Sequence, residues 1–257
     1  MFEGKGKALS TAGLNAASQA LGVDTPALWS VITVETKGCG FLKDRRPVIL
    51  FERHIFHQRT QGRFDAAAPD LSNPVAGGYG PTGETQYEKL TRAVALDRQA
   101  ALESASWGLG QIMGFNAKLA GFAAAEAMVT AMIDSEDAQF IAMAEFIRGS
   151  GLADALQQKD WPTFARRYNG PDFQKNLYDQ KLAQAYARYT TGSLPDVDVR
   201  AAQLYLTYLG YAPGGVDGVP GQNTRSALMR FQTAQQLPAT GNLDAPSLAA
   251  LVRAATG

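Results

Sequence analysis

Residues 24–38 read DTPALWSVITVETKG, an apolar run closed by a glutamate near its end. Asp24 or Thr25 can cap the start of a helix, Pro26 suits its first turn, and Gly38 is a typical stop. The apolar side chains between these ends recur at helical spacing and therefore share one face. The segment predicts an amphipathic helix whose last turn presents a carboxylate.

The other segments before residue 190 also read as helices, and strand-like alternation is scarce. Ser135 and Asp160 are expected to cap two of them. The long segment 61–84 has turn chemistry and little periodicity, and we expect it to form one side of a cleft. The helix candidates are VILFERHIFHQRT (48–60), ETQYEKLTRAVALDRQAALES (84–104), SEDAQFIAMAEFIRG (135–149), WPTFARRYNG (161–170) and PDFQKNLYDQKLAQAYARYT (171–190). The sequence therefore predicts a mainly all-α fold.

The composition is that of an ordinary globular protein. The chain has 257 residues, of which 46% are apolar and 19% are charged, so it can form one or two domains. Its 24 basic and 24 acidic residues cancel, which argues against a nucleic-acid partner. A single cysteine cannot form an internal disulfide. No stretch has the ~20 apolar residues of a membrane span, so we expect no membrane insertion.

A small, polar stretch, TTGSLPDVD at 190–198, reads as a linker. We therefore expect a first domain at 1–190, a linker at 191–197 and a second domain at 198–257. The second segment has its own apolar pattern of three helices separated by Gly-rich turns.

The second domain carries a specific pattern, VDGVPGQNTRSALMRFQTAQQLPATGNLDAPSLAAL at 216–251. It resembles the small three-helix peptidoglycan-binding domain found on many enzymes that degrade cell walls, and this resemblance implies bacterial peptidoglycan as the partner. Asn223 or Thr224 is expected to cap one helix and Asp244 another, while Leu228 and Phe231 are expected in the core. The candidates for cell-wall contacts are Tyr205, Tyr208, Tyr211 and Arg225.

Three motifs of the first domain occur in the order expected for the lysozyme-like superfamily. They are the helix that ends in Glu35, the segment SASWGLGQIMGFN at 104–116 and the segment RRYNGP at 166–171. More closely, VETKGCGF at 34–41 followed by RPVILFERHIF at 46–56 resembles the N-acetylmuramidase domain of phage endolysins. The resemblance implies a lysozyme-like helical fold and hydrolysis of the β-1,4 bond between N-acetylmuramic acid and N-acetylglucosamine.

Glu35 is the candidate catalytic acid. A glycosidic oxygen leaves easily only if it is protonated, so the acid must hold its proton near neutral pH. Apolar surroundings raise the pKa of a carboxyl group because they disfavour its charged form. Val31, Ile32 and Val34 lie beside Glu35 in sequence, and Trp107 and Ile112 are expected to reach it in the fold.

The identity of a second catalytic group stays open. Glu52 is the best candidate for a base or nucleophile, because the muramidase resemblance is concentrated around it, and Asp44, Asp65 and Asp70 are weaker candidates. Alternatively, Glu35 acts nearly alone on a water placed by neutral groups such as Thr36, Gln111 or Tyr168. The residues expected to bind the sugar chain are Ser106, Gln111, Tyr168 and Asn169.

Other readings compete with hydrolysis. Cys39 with His54 or His57 suggests a Cys/His peptidase, but Cys39 follows a helix C-terminus, which does not favour a thiolate. The two histidines lie three residues apart and have no third ligand at metal spacing, so no metal or other cofactor is implied. A protein that only binds the cell wall would not need the glutamate and its two accompanying motifs. A lytic transglycosylase cleaves the same bond with one glutamate and without water.

Two further expectations follow from these readings. The first residues lack the continuous apolar region of a signal peptide, so we expect the protein to stay in the host cytoplasm until a separate membrane pore releases it to the periplasm or cell wall. We also expect a monomer whose second domain binds peptidoglycan alone and whose residues 1–190 cleave alone.

Overall fold

The computed structural model describes residues 1–36, 38–170 and 173–257. Over these residues the protein is mainly helical, in agreement with the sequence prediction. The helices are α1 (Thr11–Leu21), α2 (Thr25–Glu35), α3 (Arg53–Thr60), α4 (Thr85–Leu96), α5 (Arg98–Glu103), α6 (Ala125–Met132), α7 (Glu136–Gly149), α8 (Ala153–Gln157), α9 (Trp161–Asn169), α10 (Tyr178–Thr191), α11 (Val197–Tyr208), α12 (Gln222–Ala234) and α13 (Ala245–Thr256). Among the described helices, none has the length and apolar character needed to span a bilayer.

A small antiparallel sheet lies among these helices. Its strands β1 (Ile49–Phe51), β2 (Ala105–Trp107) and β3 (Ile112–Met113) pair in the order β1-β2-β3. The prediction of one helix over 48–60 is therefore wrong in its first part. The β-branched and aromatic side chains at 48–51 suit a strand, and residue 50 pairs with residue 106 of β2.

The predicted helix at 84–104 is also interrupted, because Asp97 ends α4 and begins α5. The Asp97 side chain accepts a hydrogen bond from the Ala100 amide, which caps the second helix. The segment PDFQKNLYDQ likewise does not continue one long helix. Phe173–Asn176 form a 3₁₀ turn and α10 begins only at Tyr178, while Pro171 and Asp172 lie outside the described residues.

Most predicted helix caps are confirmed. Asp24 caps α2 by accepting from the Ala27 amide, and Ser135, Asp160 and Asp244 cap α7, α9 and α13 in the same way. The prediction for α12 is wrong, because Gly221 is its N-cap residue and Thr224 is a buried residue inside the helix. The Thr224 hydroxyl instead donates to the Pro213 carbonyl, which ties α12 to the turn before it.

Two apolar clusters form the core of the region before residue 190. The first includes buried side chains of α1, α2, α7, α9 and α10. The second surrounds the sheet and α4 to α6, and it contains Trp107. The end of α2 therefore lies where the first cluster meets the loops that lead to the sheet.

The C-terminal region, residues 197–257, packs α11, α12 and α13 around a third apolar cluster that includes Leu228 and Phe231, as predicted. This cluster also contains Ala8 and Phe41, which belong to the first region. The two regions therefore share apolar core. The predicted linker, 191–197, extends from the last residue of α10 to the first residue of α11, and the domain boundaries stay a prediction.

Tyr205 and Tyr208, two of the residues expected to be exposed for cell-wall contacts, bond the first region instead. Tyr205 is only 5% exposed, and its hydroxyl accepts a hydrogen bond from the Ala8 amide. The Tyr208 hydroxyl donates to the Gly6 carbonyl. Tyr205 is therefore not exposed, and the half-buried Tyr208 directs its hydroxyl at the first region.

Candidate active site

Glu35 is the last residue of α2, and its side chain is half-buried. The helix ends there because Thr36 leaves the helical conformation while its hydroxyl donates to the Ile32 carbonyl at 2.6 Å. This bond satisfies one of the carbonyl groups that a helix end leaves free. The carboxylate thus projects from a helix end that is fixed by its own neighbour.

A cavity of about 330 Å³ contains the Glu35 side chain. Its lining is mainly apolar, and among the described residues Glu35 is the only carboxylate in it. Two residues of the segment 61–84, Thr82 and Gly83, also line it, as expected for one side of a cleft. The remaining lining residues are Cys39, Phe41, Leu42, Val48, Ile49, Leu50, Gly108, Leu109 and Gln111.

The surroundings of Glu35 let its carboxyl group keep a proton up to near neutral pH. Burial raises the pKa of Glu35 from an ordinary value of 4.5 to about 7, against the opposing effect of a hydrogen bond from Asn169. The Asn169 side-chain amide donates to Oε1 of Glu35 at 2.9 Å. A neutral donor lowers the pKa far less than a cation would, so burial dominates.

Tyr168 and Asn169, both from the predicted YNG motif, lie at the end of α9 next to Glu35. The Tyr168 hydroxyl donates to the Gly110 carbonyl at 3.0 Å, and its ring stacks on Phe164. This contact joins the end of α9 to the turn between β2 and β3. Asn169 is thereby held where it can bond the carboxylate.

Ser106 and Gln111 form a connected network rather than two free sugar-binding groups. The Ser106 hydroxyl donates to the Gln111 side-chain carbonyl at 3.0 Å. The Gln111 amide donates in turn to the Val48 and Gly108 carbonyls, at 3.1 and 2.8 Å. Gln111 has a positive φ of 47°, so these bonds stabilise a backbone conformation that non-glycine residues seldom adopt. Gln111 lines the cavity and shapes it.

Glu52 does not line the cavity that holds Glu35. It precedes α3 as its N-cap residue, without a capping side-chain bond. Burial raises its pKa, and the nearby His54 and a hydrogen bond from Tyr79 oppose this effect. Glu52 thus interacts with His54 and Tyr79, outside the lining of the cavity that holds Glu35.

The expectation that Trp107 and Ile112 reach Glu35 is wrong, because both are buried in the second apolar cluster and neither lines the cavity. Trp107 is fully buried in the second apolar cluster, where its indole nitrogen donates to the Leu102 carbonyl. Because Trp107 points away from the cavity on its strand, Leu109 and Val48 supply apolar lining there instead.

Cys39 lines the cavity but is a poor nucleophile. Burial raises the pKa of its thiol to about 11, and the charge of Glu136 adds to this effect. The thiol donates to the Phe41 carbonyl, and His57 is paired with Asp65. The geometry therefore does not support the Cys/His peptidase reading.

Gln139, in α7, was missed by the sequence reasoning. Its side-chain carbonyl accepts from the Leu109 amide at 2.7 Å, which fixes one lining residue of the cavity. A Cβ atom on Gly40 would lie 1.7 Å from this same oxygen, so a larger residue at position 40 would displace the Gln139 side chain from its bond to Leu109. The glycines of VETKGCGF indicate that another group packs close to the backbone there, but they do not identify Gln139 as that group.

The comparisons with known proteins agree with this geometry. The N-acetylmuramidase family model matches residues 24–190, and the model of a putative peptidoglycan binding domain matches residues 195–251. Among solved structures, the protein is similar to Burkholderia AP3 phage endolysin, with 41% identity over 72% of each chain and a TM-score of 0.68. No protein among the curated sequences matches the chain. The helical fold, the cavity around the end of α2 and the family match together place the chain in the N-acetylmuramidase family of glycoside hydrolases, with a C-terminal peptidoglycan-binding domain.

Proposed function

We propose that Glu35 is the general acid in the cleavage of the β-1,4 bond between N-acetylmuramic acid and N-acetylglucosamine. The observation that carries this proposal is a half-buried carboxyl group with a pKa of about 7 in an apolar cavity. Such a group is about half protonated at neutral pH and largely protonated below it, and it can give its proton to a leaving oxygen.

In the reaction, the Glu35 proton moves to the glycosidic oxygen as the bond from that oxygen to the anomeric carbon breaks. The sugar ring then carries positive charge, and a water molecule adds its oxygen to the anomeric carbon. The water's spare proton returns to Glu35, which restores the acid. The Asn169 amide stabilises the carboxylate in the interval, because its hydrogen bond strengthens when the acceptor is charged.

Neutral groups are proposed to place the water. Glu52 lies outside the lining of the cavity, and among the described residues no second carboxylate lines it. Of the neutral candidates, Gln111 lines the cavity, and its side-chain carbonyl, which accepts from Ser106, can accept a second hydrogen bond from water. This arrangement favours hydrolysis assisted by one carboxylate.

A cavity with one carboxylate also fits a lytic transglycosylase, in which a hydroxyl of the sugar itself replaces the water. Mass spectrometry of purified peptidoglycan digested in ¹⁸O-labelled water separates the two. Hydrolysis gives reducing ends that carry the label, whereas transglycosylation gives unlabelled 1,6-anhydro ends. Labelled ends are the expected result, and anhydro ends would exclude hydrolysis.

The similarity to a phage endolysin supports lysis of a bacterial host as the biological role. We propose that the enzyme gathers in the host cytoplasm, acts as a monomer, and reaches the cell wall through a separate membrane pore. Phe2, Ala8 and Leu9 are buried parts of the fold, which favours a structural role for this first segment. Expression without a pore-forming protein should leave cells intact, and prompt lysis on induction would contradict the proposed route.

A further inference from the structure

The segment Gly38–Phe41 separates the active-site cavity from the C-terminal region. Cys39 and Phe41 line the cavity together with Glu35. Phe41 also belongs to the apolar cluster of the C-terminal region, and Cys39 packs against that cluster. The same few residues therefore form a side of the cavity and a docking surface.

Two charged side chains fix the backbone of this segment. Arg200, in α11, donates to the Gly38 carbonyl at 2.8 Å. Glu136, at the start of α7, accepts from the Gly40 amide at 2.8 Å and from the Leu9 amide at 2.9 Å. Arg200 and Glu136 bind each other through two bonds of 2.5 and 2.9 Å. Both side chains are buried, with 1% and 0% exposure.

We propose that Arg200 is a positioning residue of the active site, supplied by the domain whose family role is to bind peptidoglycan. Arg200 binds the Gly38 carbonyl directly, and it binds Glu136, which accepts from the Gly40 amide. These contacts hold the segment that lines the cavity beside Glu35. The C-terminal domain is thus part of the catalytic machinery as well as an anchor. This inference rests on the proposed role of Glu35.

The backbone of the segment explains why an external anchor matters. Gly38 has a φ of 101°, and glycines on both sides of Cys39 leave the chain with little intrinsic preference for one conformation. A free segment would sample many conformations, and each would change the shape of the cavity. Because a misplacement of about 1 Å can cost on the order of 100-fold in rate, two hydrogen bonds at this position have a direct effect on catalysis.

The expectation that residues 1–190 cleave alone changes accordingly. Removal of the C-terminal domain removes Arg200 and exposes Phe41, and it leaves Glu136 without its cation. Separate domains would therefore differ from the intact enzyme in stability as well as in anchoring. A clean test needs the full chain.

Arg200→Lys is the decisive variant, because lysine keeps the positive charge near Glu136 but cannot also bind the Gly38 carbonyl with the fork geometry of arginine. Its matched control is Tyr208→Phe, which removes another hydrogen bond between the two regions, to Gly6. The substrate is a short soluble oligomer of alternating N-acetylglucosamine and N-acetylmuramic acid, so cell-wall anchoring does not contribute. The measurements are kcat, KM and the rate at which a chromogenic disulfide labels Cys39.

Arg200→Lys should lower kcat by about tenfold with little change in KM, and it should increase the labelling rate of Cys39 by a similar factor, because its cavity segment becomes mobile. Tyr208→Phe should match the unmodified enzyme in all three measurements. An unchanged kcat for Arg200→Lys, a lower kcat without faster labelling, or an equal loss in Tyr208→Phe would each overturn the inference.

A second variant decides the question if Arg200→Lys does not fold. Glu136→Gln combined with Arg200→Met removes both buried charges, a change that folds usually tolerate, and it also removes the bond to Gly38. A folded double variant with a normal kcat would overturn the inference, and a loss of kcat with faster labelling would support it. Glu35→Gln, assayed in parallel, tests the proposed function separately, because its activity does not depend on the Arg200 result.

Discussion

The cavity at the end of α2 and the contact between the two domains each contain a glutamate in a low-dielectric environment. Glu35 has one neutral hydrogen-bond donor, Asn169, among the described residues, and burial raises its pKa to about 7. Burial also acts to raise the pKa of Glu136, but the charge and hydrogen bonds of Arg200 and the amides of Gly40 and Leu9 outweigh it and lower the pKa. The presence of one cation thus decides whether a buried glutamate serves as an acid or as a structural anion.

The comparison also shows how the two regions depend on each other. The ionised Glu136 and Arg200 hold the segment Gly38–Phe41, and that segment lines the cavity of the protonated Glu35. A charged pair thus holds one side of the apolar cavity in which Glu35 has its raised pKa. The variants below test whether the two glutamates have these different roles.

The largest expected effect is the loss of activity in Glu35→Gln. The amide keeps the shape of the side chain but cannot donate a proton to the leaving oxygen, so the rate of bond cleavage should fall about 1000-fold. Release of reducing ends from purified peptidoglycan is the measurement, and circular dichroism is the control for folding. A folded variant that keeps more than about a tenth of the activity would contradict the role of general acid.

Glu136→Gln should lower the free energy of unfolding by about 3–5 kcal/mol, because it leaves the Arg200 guanidinium buried without a counter-charge. The matched control is Glu126→Gln, which breaks an exposed pair with Arg98 and should cost less than about 1 kcal/mol. Urea unfolding followed by circular dichroism compares the two. Equal losses would mean that the buried pair has no special role.

Glu35→Gln should also stabilise the fold in a pH-dependent way. The pKa of Glu35 is higher in the folded protein than its ordinary value of 4.5, so ionisation favours the unfolded chain. The resulting cost is absent below about pH 4.5, grows through about pH 7 and reaches about 3 kcal/mol above it. The variant lacks this cost and should gain stability over the unmodified enzyme only as pH rises.

Denaturant titrations of both proteins at about pH 4.5 and about pH 8 test this difference. No gain at the higher pH would mean that Glu35 ionises in the fold as easily as in the unfolded chain. The opposite pH dependence is expected for Glu136, whose lowered pKa gives stability that is present at neutral pH and lost as acid protonates the carboxylate.

Local signals in the sequence predicted much of the fold and part of the site. The Asp24, Ser135, Asp160 and Asp244 caps were identified because a capping side chain acts on an amide two or three residues away. Glu35 was identified because a helix that ends in a glutamate occurred with two further motifs. Asn169 and Gln111 came from the same motifs, although their hydrogen-bond partners did not.

The interface between the domains could not be predicted in this way. The Arg200–Glu136 pair joins residues 64 positions apart in the chain, and nothing in the local pattern around either residue marks it as buried. Tyr205 and Tyr208 were predicted to contact the cell wall, because an aromatic face on a helix does not indicate which other part of the chain covers it. The strand β1 was missed because three residues are too few to show a period.

A smaller effect is expected from Asn169→Leu, which removes the hydrogen bond to Glu35 while keeping a side chain of similar size. This bond favours the charged carboxylate, so its loss should raise the pKa of Glu35 by up to about one pH unit. A general acid works in its protonated form, and the fall of activity with rising pH should therefore shift to higher pH by the same amount. A profile of kcat against pH for soluble oligomers measures it, and a shift to lower pH would contradict the assigned role of Asn169.

Cys39→Ser should give the smallest effect, even though Cys39 lines the same cavity as Glu35. The thiol is neutral near pH 7, since its pKa is raised to about 11. Among the described residues, the thiol makes one hydrogen bond, to the Phe41 carbonyl. A serine hydroxyl can make the same bond equally well. Activity on purified peptidoglycan should therefore stay within about twofold of the unmodified enzyme, a change of about 0.4 kcal/mol in the barrier. A folded Cys39→Ser enzyme without activity would return the Cys/His peptidase reading and would move the chemistry from the carboxylate to the thiol four residues after it.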